Sequence, residues 1–169
     1  MRSFTYPDVG ATREGRRPAG YHHRSARFRI ARGREAFHAA TEGLMSWNVH
    51  RRAGLWVQAS HDYAAPDVEL ASGLGLGPLR MRFYARVVWT INEQDRVGFA
   101  YGTLTGHPLS GEELLMVEID DADDVWFATT VVSRPHAWYA RLAGPVTRIV
   151  QGMAIRRYAT AARRLATAP

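Results

Sequence analysis

Between Met81 and Ser133 the chain repeats one pattern four times, a run of alternating apolar and polar residues followed by a short turn. From Met81 to Ile91, the residues Met81, Phe83, Val87, Trp89 and Ile91 share one side, and Arg82, Arg86 and Thr90 the other. After a turn at residues 92–96, the run from Val97 to Leu104 puts Val97, Phe99, Tyr101 and Thr103 on one face. A loop containing Gly106, His107, Pro108, Ser110 and Gly111 leads to Glu113–Ile119, and an acidic turn at residues 120–124 leads to Val125–Ser133. A side-chain period of two marks half-buried strands. Turns this short join antiparallel neighbours, so the four runs form a meander. Such a sheet has one apolar face that needs a cover.

The rest of the chain supplies the cover. Arg24–Ala31 alternates as a further strand, with Ala26, Phe28 and Ile30 on one side. Arg34–Trp47 reads as a helix with Phe37, Ala40, Leu44 and Trp47 along one face. Leu55–Ala59 and Val68–Leu70 are short strand candidates. Gly73, Gly75, Gly77 and Pro78 fit neither a dinucleotide fingerprint nor a P-loop and read as turn glycines. Arg134-Pro135 ends the sheet, and His136–Ala143 begins a helix that Gly144-Pro145 interrupts. Val146–Leu165 then continues as a long helix with Val146, Ile149, Val150, Met153 and Ala161 on one side. About 20 helical residues span about 30 Å, enough to cross a sheet.

This order predicts an α+β fold, a curved antiparallel β-sheet wrapped around a long C-terminal helix. That is the helix-grip arrangement of START and Bet v 1 domains. Residues 1–23 are expected to form an irregular lead-in packed on a single domain spanning 24–169, with Tyr6 as a staple or, with Arg13, part of a lid. A sheet curved around a helix encloses either a cavity or a solid core. The cavity lining would be Phe83, Trp89, Phe99, Tyr101, Thr103, Phe127 and Met153, with Arg134 at its mouth to anchor a ligand carboxylate or phosphate.

Composition removes several classes of function. The chain has no cysteine, which excludes disulfides, thiol catalysis and Cys-ligated metal centres. It has no apolar run of about 18 residues and no apolar segment near Met1, so a cytoplasmic protein without a membrane span is expected. All 22 basic residues are arginine, and the net charge is +6. Arginine suits phosphate recognition. Total exclusion of lysine, with arginines spread from Arg2 to Arg164, fits a compositional bias better than a nucleic-acid surface. No His-Glu-x-x-His or Gly-x-Ser-x-Gly pattern occurs, so neither a metal site nor a serine hydrolase is expected. No cofactor is implied.

The chemistry-bearing residues gather in one hairpin. His107 lies in its loop, Tyr101 and Thr103 on the strand leading in, and Glu112 and Glu113 on the strand leading out. A histidine beside a carboxylate suits acid–base work, and a tyrosine can donate to a developing oxyanion. The same side chains equally well hold the turn together. Three functions follow. The first is binding of an apolar or amphipathic small molecule between sheet and helix. The second is an enzyme using His107, Tyr101 and Glu113 in that cavity. The third is an arginine-rich interaction or nucleic-acid module.

Several segments carry a resemblance to a known family. They are Tyr6-Pro7-Asp8-Val9-Gly10-Ala11-Thr12-Arg13, Pro18-Ala19-Gly20-Tyr21, and Trp47 with His50-Arg51-Arg52-Ala53-Gly54-Leu55. Arg86-Val87-Val88 follows, then Gly98-Phe99-Ala100-Tyr101-Gly102-Thr103-Leu104 with Gly106-His107-Pro108 and Gly111-Glu112-Glu113. Ser133-Arg134-Pro135 and Leu142-Ala143-Gly144-Pro145 complete the set. The chain resembles uncharacterised protein family 0548 nearly end to end, departing at Thr105, where the family pattern places proline. The resemblance implies a soluble, single-domain protein of a family found in bacteria and plants, usually bacterial. It carries no established activity, substrate or catalytic residue.

Overall fold

Among the described residues, seven antiparallel strands form one sheet in the order β1-β7-β6-β5-β4-β3-β2. They are β1 (His22–Arg32), β2 (Trp56–Ala59), β3 (Glu69–Leu74), β4 (Met81–Asn92), β5 (Arg96–Thr103), β6 (Leu109–Ile119) and β7 (Asp124–Pro135). The computed structural model describes residues 2–74, 81–137 and 144–167. From β2 to β7 each strand pairs with its successor, as the alternating runs require, and β1 closes beside β7. The helices are α1 (Ala11–Glu14), α2 (Arg34–Met45), α3 (Asn48–Arg52) and α4 (Gly144–Ala166).

Two helices share the cover of the inner face. α2 lies over β5 and β6, and α4 lies over β1 and β7 while packing on α2 and α3. The core between them holds Phe37, Leu44, Trp47, Phe99, Leu115 and Phe127, all at most 2% exposed. The two helices cross closely at Gly43, where a Cβ would sit 2.6 Å from Leu165 Cδ1. Bulges at Arg29/Ala31 and Val87/Trp89 bend the strands.

The second bulge corrects the expected lining. Val87 pairs with Tyr101, but Trp89 pairs with Ala100 and Thr90 with Phe99. The extra residue reverses the alternation, so Trp89 leaves the inner face and Thr90 takes its place. Trp89 instead donates its indole N–H to Thr12 Oγ1 at 3.1 Å on the outer side of the sheet. Met153 is corrected too. It is 53% exposed, as are Val150 (53%) and Ile149 (62%). The buried stripe of α4 is Gly152, Ile155, Tyr158, Ala159, Ala161, Ala162 and Ala166, so of the expected face with described burial only Ala161 is buried. Small residues let the helix approach β1 and α2, so they, not the largest apolar side chains, select the facing side.

Other departures are local. The helix expected over Arg34–Trp47 ends at Met45, because Trp47 takes a left-handed conformation (φ 67°) and starts α3 in a new direction. His136 and Ala137 are not helical, and their amides both bond to the Pro108 carbonyl. The remainder of the helix expected over His136–Ala143 lies outside the described residues, as do Gly75, Gly77 and Pro78. Gly73 and Leu74 belong to β3, and β6 begins four residues before Glu113, at Leu109.

The outer face of the middle strands is also covered. Gly98, Ala100 and Gly102 are buried, Gly102 beneath Tyr6 and Phe4 of the lead-in. Phe4 bridges to Leu104, and Thr5 bonds Thr103 through both its backbone N–H and its hydroxyl. A Cβ on Gly102 would collide with the Tyr6 hydroxyl and the Phe4 ring. Thr105 donates its backbone N–H to Ser3 at 3.0 Å, a bond proline cannot make.

Candidate functional site

The β5–β6 register places Tyr101 opposite Glu113 on the inner face, and the Tyr101 hydroxyl donates to Glu113 Oε2 at 2.9 Å. Tyr158 reaches the same point from α4, where its phenol interacts with the Tyr101 hydroxyl and feels the Glu113 charge. Burial pushes the Glu113 carboxyl up to about 7, partly offset by the Tyr101 hydrogen bond. Burial raises both phenols, and the Glu113 charge adds to this. Near neutral pH both phenols are therefore protonated, and Glu113 sits near the midpoint between carboxylic acid and carboxylate.

His50 completes the cluster. It is 1% exposed on α3, with ring centroids 5.1 Å from Tyr158, 6.0 Å from Tyr101, 6.0 Å from Phe99 and 5.7 Å from Trp47. Burial, and then the Arg51 charge, push its imidazole down to about 3, so it is neutral. Neither ring nitrogen has a hydrogen-bond partner among the described residues. The Thr129 hydroxyl, on the same face of β7 and 2% exposed, is likewise unpartnered.

The structure joins Tyr101 to Glu113 but not to His107. The imidazole Nδ1 lies 3.0 Å from the Leu109 N–H and 3.1 Å from the Leu109 carbonyl, and the ring sits 5.5 Å from Phe83. Leu109 is four residues before Glu113, about 13 Å along an extended strand. Desolvation pushes His107 down to about 4, so it is a neutral turn-former. Thr103 is occupied by the Gly111 backbone (2.9 and 3.1 Å) and by the Thr5 hydroxyl (2.6 Å). Phe99 and Phe127 are fully buried core residues, and Phe83 is partly buried. Arg134 lies on the outer side, its guanidinium 4.7 Å over the Tyr21 ring, so it is not at the mouth of the inner site. Its position alternates with Ser133, which faces α4 and accepts from Gln151 at 3.2 Å.

Glu112 faces the other way. It is 2% exposed and accepts from Tyr6 OH (2.8 Å), Gly10 N–H (2.8 Å), Thr12 N–H (3.0 Å) and the Thr12 hydroxyl. The expected staple at Tyr6 is thus one of several bonds to a single carboxylate. On β1, Arg27 pairs with Glu118 and lies over Trp126, and Arg29 pairs with Asp124. A separate open groove of about 630 Å³ runs between α2 and the β4–β5 turn, lined by Phe37, Met45, Val97, Arg34, His38 and Asn92. No group of three or more His, Asp or Glu residues that could hold a metal occurs among the described residues. No described helix is long and apolar enough to cross a membrane.

His50 and Tyr158 were not legible as site residues. Asn48–Arg52 carries no periodic signal, and Tyr158 sits on the small-residue stripe of α4. Glu112 could have been found, since adjacent strand residues point to opposite faces and the pair Glu112-Glu113 must divide between them.

An antiparallel meander gripping a C-terminal helix defines the helix-grip class, and solved structures share it. The hypothetical protein jhp0584 from Helicobacter pylori superposes with a TM-score of 0.58 at 11% identity, covering 95% of this chain and 96% of its own. Ara h 8.0201 gives 0.53 at 10% identity, covering 85% and 98%. Protein NE0264 from Nitrosomonas europaea gives 0.53 at 7% identity, covering 82% and 92%. At these identities the likeness is one of fold. Residues 5–161 match the family described as Domain of unknown function (DUF1990), and the chain belongs to it. A UPF0548 protein of Deinococcus radiodurans is 29% identical over 168 residues, 92% of this chain and 83% of that protein. The UPF0548 protein At2g17695 of Arabidopsis thaliana is 37% identical over 54 residues, 32% of this chain and 26% of that protein.

Proposed function

We propose that the protein binds an amphipathic small molecule between the inner face of the sheet and α4. The observation that carries this reading is the Tyr101–Glu113 pair, 2.9 Å apart inside an interface built mainly from apolar side chains. A buried polar network costs stability unless it is satisfied, and small-molecule sites are apolar surfaces with a few placed polar groups. Tyr101, Glu113 and Tyr158 supply those groups, and Phe99 and Phe127 the apolar wall. Native mass spectrometry of protein purified gently from its own host tests the reading. The expected result is a stoichiometric adduct lost on denaturation and depleted in Tyr101→Phe and Glu113→Gln. A bare mass in the wild type, unchanged by either substitution, counts against it.

One observation favours a second reading, acid–base catalysis in the same place. A carboxyl group held near pH 7 beside a phenol donor is matched to proton transfer at neutral pH. In that reading Glu113 moves the proton and Tyr101 orients it. Turnover that Glu113→Gln abolishes, with ligand retention intact, separates catalysis from binding.

A further inference from the structure

We propose that His50 is the recognition residue of the inner site, selecting ligands whose polar end is an uncharged hydroxyl or carbonyl over those ending in a carboxylate or phosphate. The inference rests on the binding reading above and names the ligand class. A neutral imidazole carries one donor and one acceptor. In His50 both are buried at 1% exposure and unpartnered among the described residues, within ring contact of Trp47, Phe99, Tyr101 and Tyr158. Buried polar atoms left unpaired destabilise a fold, and a phenylalanine would fill this ring-lined space without that penalty. A hydroxyl or carbonyl group reaching the imidazole pairs what the protein leaves open.

The surroundings set the charge of the ligand. Among the described residues, the cation whose charge reaches the imidazole is Arg51. Arg51, its neighbour on α3, turns outward and donates to the Ser46 carbonyl at 2.8 Å. Glu113, held by Tyr101, is the acidic group of the cluster and repels an anion when ionised. Thr129 adds an open hydroxyl, and Tyr158 a phenol that meets the Tyr101 hydroxyl. A carboxylate entering here would lose its hydration and, with Arg51 held on the Ser46 carbonyl, gain no ion pair from it, whereas an alcohol or ketone meets donors and acceptors of its own strength.

The test titrates 1-decanol and decanoate, identical chains with different ends, into the whole protein by calorimetry. Wild type, His50→Phe and His50→Gln are compared. The ¹⁵N shifts of the histidine ring nitrogens are followed in parallel. Charge desolvation disfavours decanoate in every variant, so the decisive reading is what His50 does to decanol. We expect decanol to move the His50 ring nitrogens, and His50→Phe to weaken decanol about tenfold while leaving decanoate unchanged. His50→Gln, which keeps a donor and an acceptor, should restore most of the affinity. Decanol binding that leaves the ring nitrogens and the His50→Phe affinity unmoved overturns the role of His50 and leaves the binding reading standing. Absence of binding by both probes to the wild type overturns the binding reading itself. Should His50→Phe fail to fold, the wild-type ring shifts and His50→Gln decide the matter.

Discussion

Glu112 and Glu113 are adjacent in the chain and do opposite work. One gathers the N-terminal segment onto the outer face, and the other sits with Tyr101 on the inner face. The strand's two-residue period makes this division unavoidable once the backbone is extended. Their energetic roles differ accordingly. Glu112 accepts bonds from two backbone N–H groups and two hydroxyls, and removing it leaves the buried Tyr6 hydroxyl without its acceptor. Glu112→Ala should therefore destabilise the fold by about 2–4 kcal/mol, since bonds to a charged group are each worth about 1.5–3 kcal/mol and part is recovered by water. Urea unfolding measures this, and a loss under about 1 kcal/mol would mean that the segment is held by its apolar contacts instead.

At the scale of elements, the lead-in acts as an extra layer on the meander. Its contact with β5 depends on a missing side chain. Gly102 lies directly beneath Tyr6 and Phe4, and its neighbours on the same face, Gly98 and Ala100, are also small. Gly102→Ala should push residues 4–12 off the sheet while the inner core stays packed. Trypsin then reads the outcome, because Arg13 and Arg16 directly follow the segment. The variant should be cut there many times faster than wild type, with the remainder of the chain protected. The small residues were visible in the sequence, but what they accommodate was not, because a glycine in a strand announces close approach without naming the partner. The strand meander was legible for a related reason, since a local period reports a half-buried strand whatever lies over it. The phase of β4 beyond Val88 was not legible, because a bulge is set by the neighbouring strand's register. The buried side of α4 was misread because Ile149, Val150 and Met153 outweigh Ala159 and Ala162 in any apolar count. The candidate site divided in the same way. Tyr101 and Glu113 follow from hairpin register, whereas His50 enters from a helix whose direction depends on the backbone turn at Trp47.

Across the whole molecule, three desolvated titratable groups, His50 buried and His107 and Glu113 half-buried, tie stability to pH, and their signs oppose. His50 and His107 are pushed down to about 3 and about 4, so the folded state resists protons that the unfolded chain takes up below its usual histidine value of 6.5. Their stabilisation is complete above pH 6.5 and is lost as pH falls through the folded values. Glu113 is pushed up to about 7 from 4.5, so the folded state keeps a proton that the unfolded chain has released. Its contribution is complete below pH 4.5 and is lost as pH rises to about 7. Between pH 4.5 and 6.5 the unfolded chain therefore gains two protons at the histidines and lacks one at Glu113, a net difference of about one proton. Each proton is worth about 1.4 kcal/mol per pH unit, so wild-type stability should climb gently across this interval. Removing the opposing group should steepen the climb. Glu113→Gln is expected to double the slope of unfolding free energy against pH, measured by urea titration at half-unit steps, while His107→Phe is expected to flatten it. A Glu113→Gln slope equal to the wild type's would show that the carboxyl titrates as an ordinary surface acid. The inner site would then hold a fixed negative charge at neutral pH, and it would favour cationic ligands in place of neutral ones.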